Sequence, residues 1–233
     1  MNEHQVFFVS GIDTDIGKSY ATGMLARLWM DKGRKVMTQK LVQTGDHGVS
    51  MDIRLHRRIM GIDLTEDDLA GRTCPELFSF PASPHLAAKL DGKDKVDLSR
   101  IDGATAYLKG KCEILLIEGA GGLMVPLTED LLTIDYVAER KLPLILVTSG
   151  RLGSLNHALL SLEASERRGI EVAGLVFNYC ASADPTISED TLAWLKRYLA
   201  DRHPLAWFLK FGKIDPERAG ETEIENVGTV EII

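Results

Sequence analysis

Short runs of consecutive apolar residues alternate along this chain with longer stretches in which apolar residues recur every three or four positions. The runs are Val6-Phe7-Phe8-Val9, the Ile-Leu-Leu-Ile within Glu113 to Glu118, Leu142 to Thr148 and Val172 to Asn178, while Lys35 to Val42, interrupted by Thr38, Gln39 and Lys40, reads as a further strand. Unbroken apolar runs of this length predict strands covered on both faces, as in a parallel sheet between helices. The periodic stretches predict those helices. Lys18 to Lys32 carries Ala21, Met24, Leu25 and Leu28 at helical spacing and stops at Gly33. Ser50 caps a helix from Met51 toward Met60 that Gly61 ends. His85 to Leu90, Leu98 to Leu108, Leu155 to Arg168 and Thr186 to Leu199 complete the helical set. Asp63 to Pro84 reads as loop, punctuated by Cys74-Pro75, Phe80-Pro81 and Ser83-Pro84. From about Pro204 to Ile233 the pattern is weakest, with Leu205 to Leu209 reading as a terminal strand. The alternation predicts a doubly wound, mostly parallel α/β sheet in a single domain over residues 1–233.

Ligands of such sheets sit beyond the carboxyl ends of the strands. The first strand runs into Gly11-Ile12-Asp13-Thr14-Asp15-Ile16-Gly17-Lys18-Ser19 and then a helix. A glycine-bounded loop opening a helix points its amides and the positive helix end at phosphate oxygens, a P-loop NTPase-like arrangement. Lys18 would reach the β- and γ-phosphates and the Ser19 hydroxyl would ligate Mg²⁺. Five residues separate Gly11 from Gly17, one more than the common G-x-x-x-x-G-K-S/T spacing.

Charge narrows the function classes. With 27 basic against 34 acidic side chains the formal net charge is −7, which argues against nucleic-acid binding as the main activity. No apolar stretch approaches the roughly 20 residues that span a bilayer. The segment Met1 to Gln5 has neither a basic flank nor a signal-like apolar core. Cys74, Cys112 and Cys180 are far apart and without metal-ligand spacing, so they read as reduced thiols of a cytoplasmic protein.

Other strand ends add candidates. Glu118 closes a buried run and precedes Gly119-Ala120-Gly121-Gly122, where an acid holds Mg²⁺ and the glycines let backbone approach a ligand. Lys40, at the exit of the second strand, is placed either to stabilise charge on a transferring phosphoryl group or as an ordinary exposed lysine. Asp52 lies in the first turn of its helix, where an acid is favourable on its own. Asp15 puts negative charge inside a phosphate loop, which suggests a cationic partner such as a substrate amine, or help with metal and water. Asn178 suits an adenine edge and equally a turn after a strand. His85 and His157 have no nucleophile pattern beside them and read as structural.

Taken together, these segments resemble the dethiobiotin synthetase family. The stretches that carry the resemblance are Gly11 to Ser19, Lys40-Leu-Val-Gln-Thr-Gly45, Ser83-Pro-His85, Glu118-Gly-Ala-Gly-Gly122 with Pro126-Leu127, Gly153-Ser-Leu-Asn-His157 and Gly174-Leu-Val-Phe-Asn178. The resemblance implies a triphosphate loop of Asp15, Ile16, Gly17, Lys18, Ser19 and Tyr20, with Gly119, Ala120 and Gly121 beside the nucleotide and Asn178 on its base. It implies Ser19, Asp52 and Glu118 as Mg²⁺ ligands, and Lys40 and Lys18 as catalytic. Thr14, Asp15, Lys40 and Thr44 would contact substrate, while Gly153 and Asn156 would reach the substrate carboxylate across a homodimer interface. The implied chemistry is ATP- and Mg²⁺-dependent closure of 7,8-diaminononanoate with CO₂ to dethiobiotin, through a carbamate and a carbamic-phosphoric anhydride. Lys18→Ala and Lys40→Ala are expected to suppress turnover with far smaller effects on folding.

Three positions depart from the family pattern. Leu41 stands where proline usually follows the active-site lysine, removing a φ constraint. Ser19 replaces the more usual threonine and keeps the hydroxyl. Ala206 to Gly212 lacks the Gly-x-Ile-Pro-like strand end that packs on the base, which leaves the choice of nucleotide open. Two other readings stay open. A partitioning-type ATPase usually has a second lysine early in the loop, where this chain has two aspartates. A nucleotide-binding paralogue without synthetase activity is opposed by the intact Lys18, Lys40 and Glu118.

Overall fold

The computed structural model describes residues 5–179, 183–212 and the strand 224–226. Its elements in chain order are β1 (Gln5–Gly11), α1 (Lys18–Asp31), β2 (Val36–Lys40), β3 (Val42–Thr44), α2 (Met51–Met60), α3 (Glu66–Leu69), β4 (Glu76–Phe78), α4 (Pro84–Leu90) and α5 (Leu98–Lys109). They continue with β5 (Ile114–Gly122), α6 (Thr133–Glu139), β6 (Leu144–Ser149), α7 (Ser154–Glu166), β7 (Val172–Asn178), α8 (Pro185–Arg202), β8 (Trp207–Phe211) and β9 (Ile224–Asn226).

Seven strands form one sheet in the order β2-β5-β1-β6-β7-β8-β9. All neighbours are parallel except β9, which returns antiparallel to β8. Phe8, Val9, Leu116, Ile117, Leu146 and Val147 of the three central strands are fully buried. That burial is what the unbroken apolar runs demanded, each such side chain stabilising the fold by about 1.5–3 kcal/mol. Trp29 of α1 stacks on Phe7 and meets Trp207 edge-on, tying the first helix to β1 and β8.

The register of the ladders positions the site. Lys40 of β2 and Val9 of β1 both lie opposite Glu118 of β5, so the carboxyl ends of three strands coincide. The chain passes from β1 to β2 on one side, and after β5 it crosses to β6 on the other. This reversal opens a crevice above β1.

Several elements differ from the sequence expectation. The segment Lys35 to Val42 is two strands: β2 ends at Lys40, and β3 departs to pair with β4 in a small second sheet. The Lys40 and Leu41 amides donate to Thr73 and Glu118 carbonyls, turning the chain between β2 and β3. The expected loop Asp63 to Pro84 contains α3, closed by a capping box of Thr65 and Asp68, as well as β4. Helix α6 was not anticipated, and β5 continues through its glycines to Gly122. The terminal strand lies two residues later than expected, leaving Leu205 exposed. Cys180 lies outside the described residues.

Candidate active site

The phosphate loop owes its path to two backbone features. Gly17 caps α1 at φ 93°, and a Cβ there would stand 2.3 Å from Asn178 Nδ2. Asp15 also takes positive φ, at 55°, a conformation that is uncommon for a residue with a side chain. Asn178 donates from Nδ2 to the Ile16 carbonyl at 3.0 Å, so β7 braces the loop from beneath.

Above the loop lies a cleft of about 810 Å³. Thr14, Asp15, Gly17, Lys18, Ser19 and Tyr20 line it from the loop and α1, Lys40 and Thr44 from β2 and β3, and Asp52 from α2. Glu118, Ala120 and Gly121 of β5 close it. Residues that the sequence left unmarked complete the wall, among them Val42, Met51, Leu55, Pro81, Pro84 and Val125. Their apolar positions alternate with polar ones across four elements, which no single-segment pattern could reveal.

At the floor, one carboxylate gathers the charged side chains. Glu118 is fully buried. Its Oε1 accepts from Ser19 Oγ at 2.9 Å and from Lys40 Nζ at 2.7 Å. Its Oε2 lies 2.7 Å from His56 Nε2. Lys40 Nζ also reaches Asp52 Oδ2 at 2.5 Å and the Gly119 carbonyl at 3.0 Å. Burial by itself would raise the Glu118 pKa, but Lys40 and the His56 hydrogen bond hold it well below the usual carboxylate range. Burial likewise disfavours the Lys40 ammonium, and the attraction of Glu118 and Asp52 reverses this and raises its pKa. Lys18 donates to the Asp13 carbonyl at 2.9 Å; burial lowers its pKa, with Glu118 acting in the opposite sense.

The structure therefore brings Ser19, Asp52 and Glu118 together around the Lys40 ammonium. All three offer hard oxygen donors, the set that Mg²⁺ takes while keeping several waters. Among the described residues no three His, Cys, Asp or Glu side chains gather as a metal cage.

Other predicted residues lie elsewhere. Ile16 and Gly119 are behind the cleft wall and act through their carbonyls. Gly153 and Asn156 sit exposed at the start of α7, apart from the cleft lining, beside an exposed Leu152. His85 is half-buried in α4 and His157 is exposed. Lys40→Ala is expected to affect folding far less than turnover, yet Lys40 is buried and neutralises a fully buried acid, so its removal also carries a stability cost. His56 was missed; its only signal is its place one helical turn after Asp52, on the same face of α2.

A family model described as an AAA domain matches residues 5–230. The chain is 47% identical over 204 residues to the ATP-dependent dethiobiotin synthetase BioD 2 of Pasteurella multocida, covering 88% of this chain and 95% of that protein. It is 53% identical over 174 residues to the ATP-dependent dethiobiotin synthetase BioD 2 of Haemophilus influenzae, covering 75% of this chain and 91% of the other. Against the ATP-dependent dethiobiotin synthetase BioD of Chlorobaculum tepidum it is 52% identical over 198 residues, with 83% and 82% covered. Among solved structures, the signal recognition particle receptor FtsY from Elizabethkingia anophelis in complex with GDP superposes with a TM-score of 0.55 at 14% identity. That match covers 97% of this chain and 61% of the receptor chain, and at such low identity it speaks for the fold alone.

Proposed function

The chain belongs to the ATP-dependent dethiobiotin synthetase family, and on that premise we propose that its cleft holds ATP, Mg²⁺ and 7,8-diaminononanoate side by side. The enzyme is an ATP-dependent cyclo-ligase. The observation that carries the finer reading is the convergence of Ser19, Lys40, Asp52 and Glu118 at the mouth of a phosphate loop.

In this reading an amine of the diamine takes up CO₂ and loses a proton to form a carbamate. A carbamate oxygen bonds to the γ-phosphorus as the bond to the ADP oxygen breaks. The second amine then attacks the carbonyl carbon of the mixed anhydride, the carbon–oxygen bond to phosphate breaks, and the ureido ring closes with loss of a proton. No covalent enzyme intermediate is required. Catalysis rests on positioning and on charge. Lys18 leaves the Asp13 carbonyl to meet the β- and γ-phosphates, and Lys40 faces the transferring group. Asp15, exposed at the loop tip, and Thr14 face the diamine, with Thr44 on the opposite wall.

The lining carries two lysines, Lys18 and Lys40, against three acids, Asp15, Asp52 and Glu118. A polyanion does not enter such a site favourably without a divalent cation. Ser19, Asp52 and Glu118 would hold Mg²⁺, which supplies neutralisation of phosphate charge when bound. The exposed Gly153 and Asn156 are the residues that a second copy of the chain would bring to the site, and this favours a homodimer. Among the described residues no helix is long and apolar enough to cross a membrane, and the buried thiols of Cys74 and Cys112 suit a cytoplasmic enzyme.

The purified protein mixed with diaminononanoate, bicarbonate, Mg²⁺ and ATP should form dethiobiotin, detected by mass spectrometry. ATP hydrolysis without the ring product, or binding without turnover, would overturn this reading.

A further inference from the structure

His56 of α2 takes no part in the chemistry above, yet it is fully buried against the acid at the centre of the site. Its Nε2 faces Glu118 Oε2 at 2.7 Å and its Nδ1 faces Thr38 Oγ1 at 3.1 Å. Thr38 Oγ1 also accepts from Arg57 Nη1 at 2.8 Å. Arg57 is held by two further bonds of 2.8 Å to the carboxylate of Asp68. Asp68 in turn accepts from the Thr65 amide and hydroxyl and from the Thr73 hydroxyl.

A guanidinium only donates. Thr38 Oγ1 is therefore the acceptor toward Arg57, and its own proton is available to His56 Nδ1. An ionised carboxylate only accepts, so the ring nitrogen facing Glu118, Nε2, carries a proton, and Nδ1 faces the Thr38 hydroxyl. Each bond polarises the next, and the series ends on a carboxylate whose other oxygen takes two donors.

The two oxygens of Glu118 have separate partners. Oε1 receives Ser19 and Lys40, which line the cleft, whereas Oε2 receives His56, which does not. Partial rotation of the carboxylate about its last side-chain bond would turn the cleft-facing oxygen away from Ser19 and Lys40. A donor anchored on the other oxygen restrains that rotation.

We propose that His56 is a positioning residue, held by Thr38 and the Arg57–Asp68 pair, that fixes the plane of the Glu118 carboxylate so that one oxygen stays turned to the cleft for Mg²⁺. This rests on the reading of Glu118 as a Mg²⁺ ligand. A histidine that merely fills the core would affect stability and leave the Mg²⁺ affinity of the folded protein unchanged.

The test is calorimetric titration of Mg²⁺ into protein saturated with a non-hydrolysable ATP analogue, paired with the Mg²⁺ dependence of dethiobiotin formation. His56→Ala should weaken Mg²⁺ binding about 10–100-fold, with the KM for the diamine at saturating Mg²⁺ unchanged. Thr38→Val should weaken it by a smaller factor, and His56→Gln, whose amide can donate to Oε2, should recover most of the loss. Folded His56→Ala and Thr38→Val with wild-type Mg²⁺ affinity would overturn the inference, even if both melt earlier. If His56→Ala does not fold, Thr38→Val alone decides by the same criterion. A wild type that makes dethiobiotin while its variants hold Mg²⁺ as tightly sinks this inference only; a wild type that makes none removes the function reading and this inference with it.

Discussion

Replacing Lys40 with methionine keeps the side chain up to Cε and removes the charge that compensates a fully buried carboxylate. In the absence of divalent cation, Glu118 then has two ways to remain in place. It stays ionised with only Ser19 and His56 as partners, or it takes up a proton. Protonation sets the upper bound: from an ordinary value of 4.5, neutralising the acid at pH 7 costs about 3.4 kcal/mol at 1.36 kcal/mol per pH unit. Asp52 is partly exposed and can turn to water, so it adds little. Relief of the buried ammonium acts in the opposite direction, and about 3 kcal/mol is expected at pH 7, near the low end for a broken buried pair. For a chain of this size that lowers Tm by about 6–12 °C.

At pH 5 the same protonation costs only about 0.7 kcal/mol, so the deficit should shrink by most of its value. The wild type does not follow this trend. Glu118 is depressed in the folded state, so its contribution is fully present above 4.5 and is lost only as pH falls below that. Lys40 is raised, so its contribution is complete below 10.5 and lost only above it. Urea denaturation of both proteins in EDTA at pH 7 and pH 5 measures the gap, and Lys40→Met/Glu118→Gln should recover most of the loss. A Lys40→Met protein as stable as wild type at pH 7, or a gap that does not change between the two pH values, refutes the assignment of Lys40 as the counterion of Glu118.

Lys18→Ala should lower turnover by roughly 10²–10³-fold, as for loss of one electrostatic donor in a transition state, with little change in the urea midpoint; mass-spectrometric product assay and denaturation together check this. Gly17→Ala should cost about 1–2 kcal/mol from the left-handed backbone alone and abolish nucleotide binding, because the added Cβ displaces Asn178 from the loop; a thermal melt and a nucleotide titration read the two effects. Burial pushes the Cys74 thiol up to about 12 and the Cys112 thiol up to about 11. Neither should react with a disulfide reagent at pH 8 until the protein is unfolded, as peptide mapping of the labelled thiols would show.

The apolar runs were sufficient to place β1, β6 and β7 and the body of β5, because a strand covered on both faces must be apolar at every position. Ser50, Gly61 and Gly17 marked helix ends through local backbone chemistry that a neighbouring residue cannot override. The same signal was blind at Leu41, where one continuous segment serves two different sheets, and at α6, which is too short for its period to show against Asp135. The phosphate loop and Glu118 were likewise visible, since each lies wholly within a strand end and the residues following it.

What the chain could not announce is how distant segments share charge. Lys40 read as a stabiliser of phosphoryl charge or an ordinary exposed lysine, and only the ladder register, pairing it with Glu118, made it a buried counterion. Asn178 read as a base contact or a turn residue, and the tertiary structure set it under the phosphate loop. His56 carried no local mark beyond its place one turn after Asp52, because its hydrogen bonds to Glu118 and Thr38 span 62 and 18 positions in sequence. Local pattern determines which elements form, because backbone geometry and burial act over a few residues. Which side chains lose their water together, and therefore whose charges must compensate one another, is decided only when those elements pack.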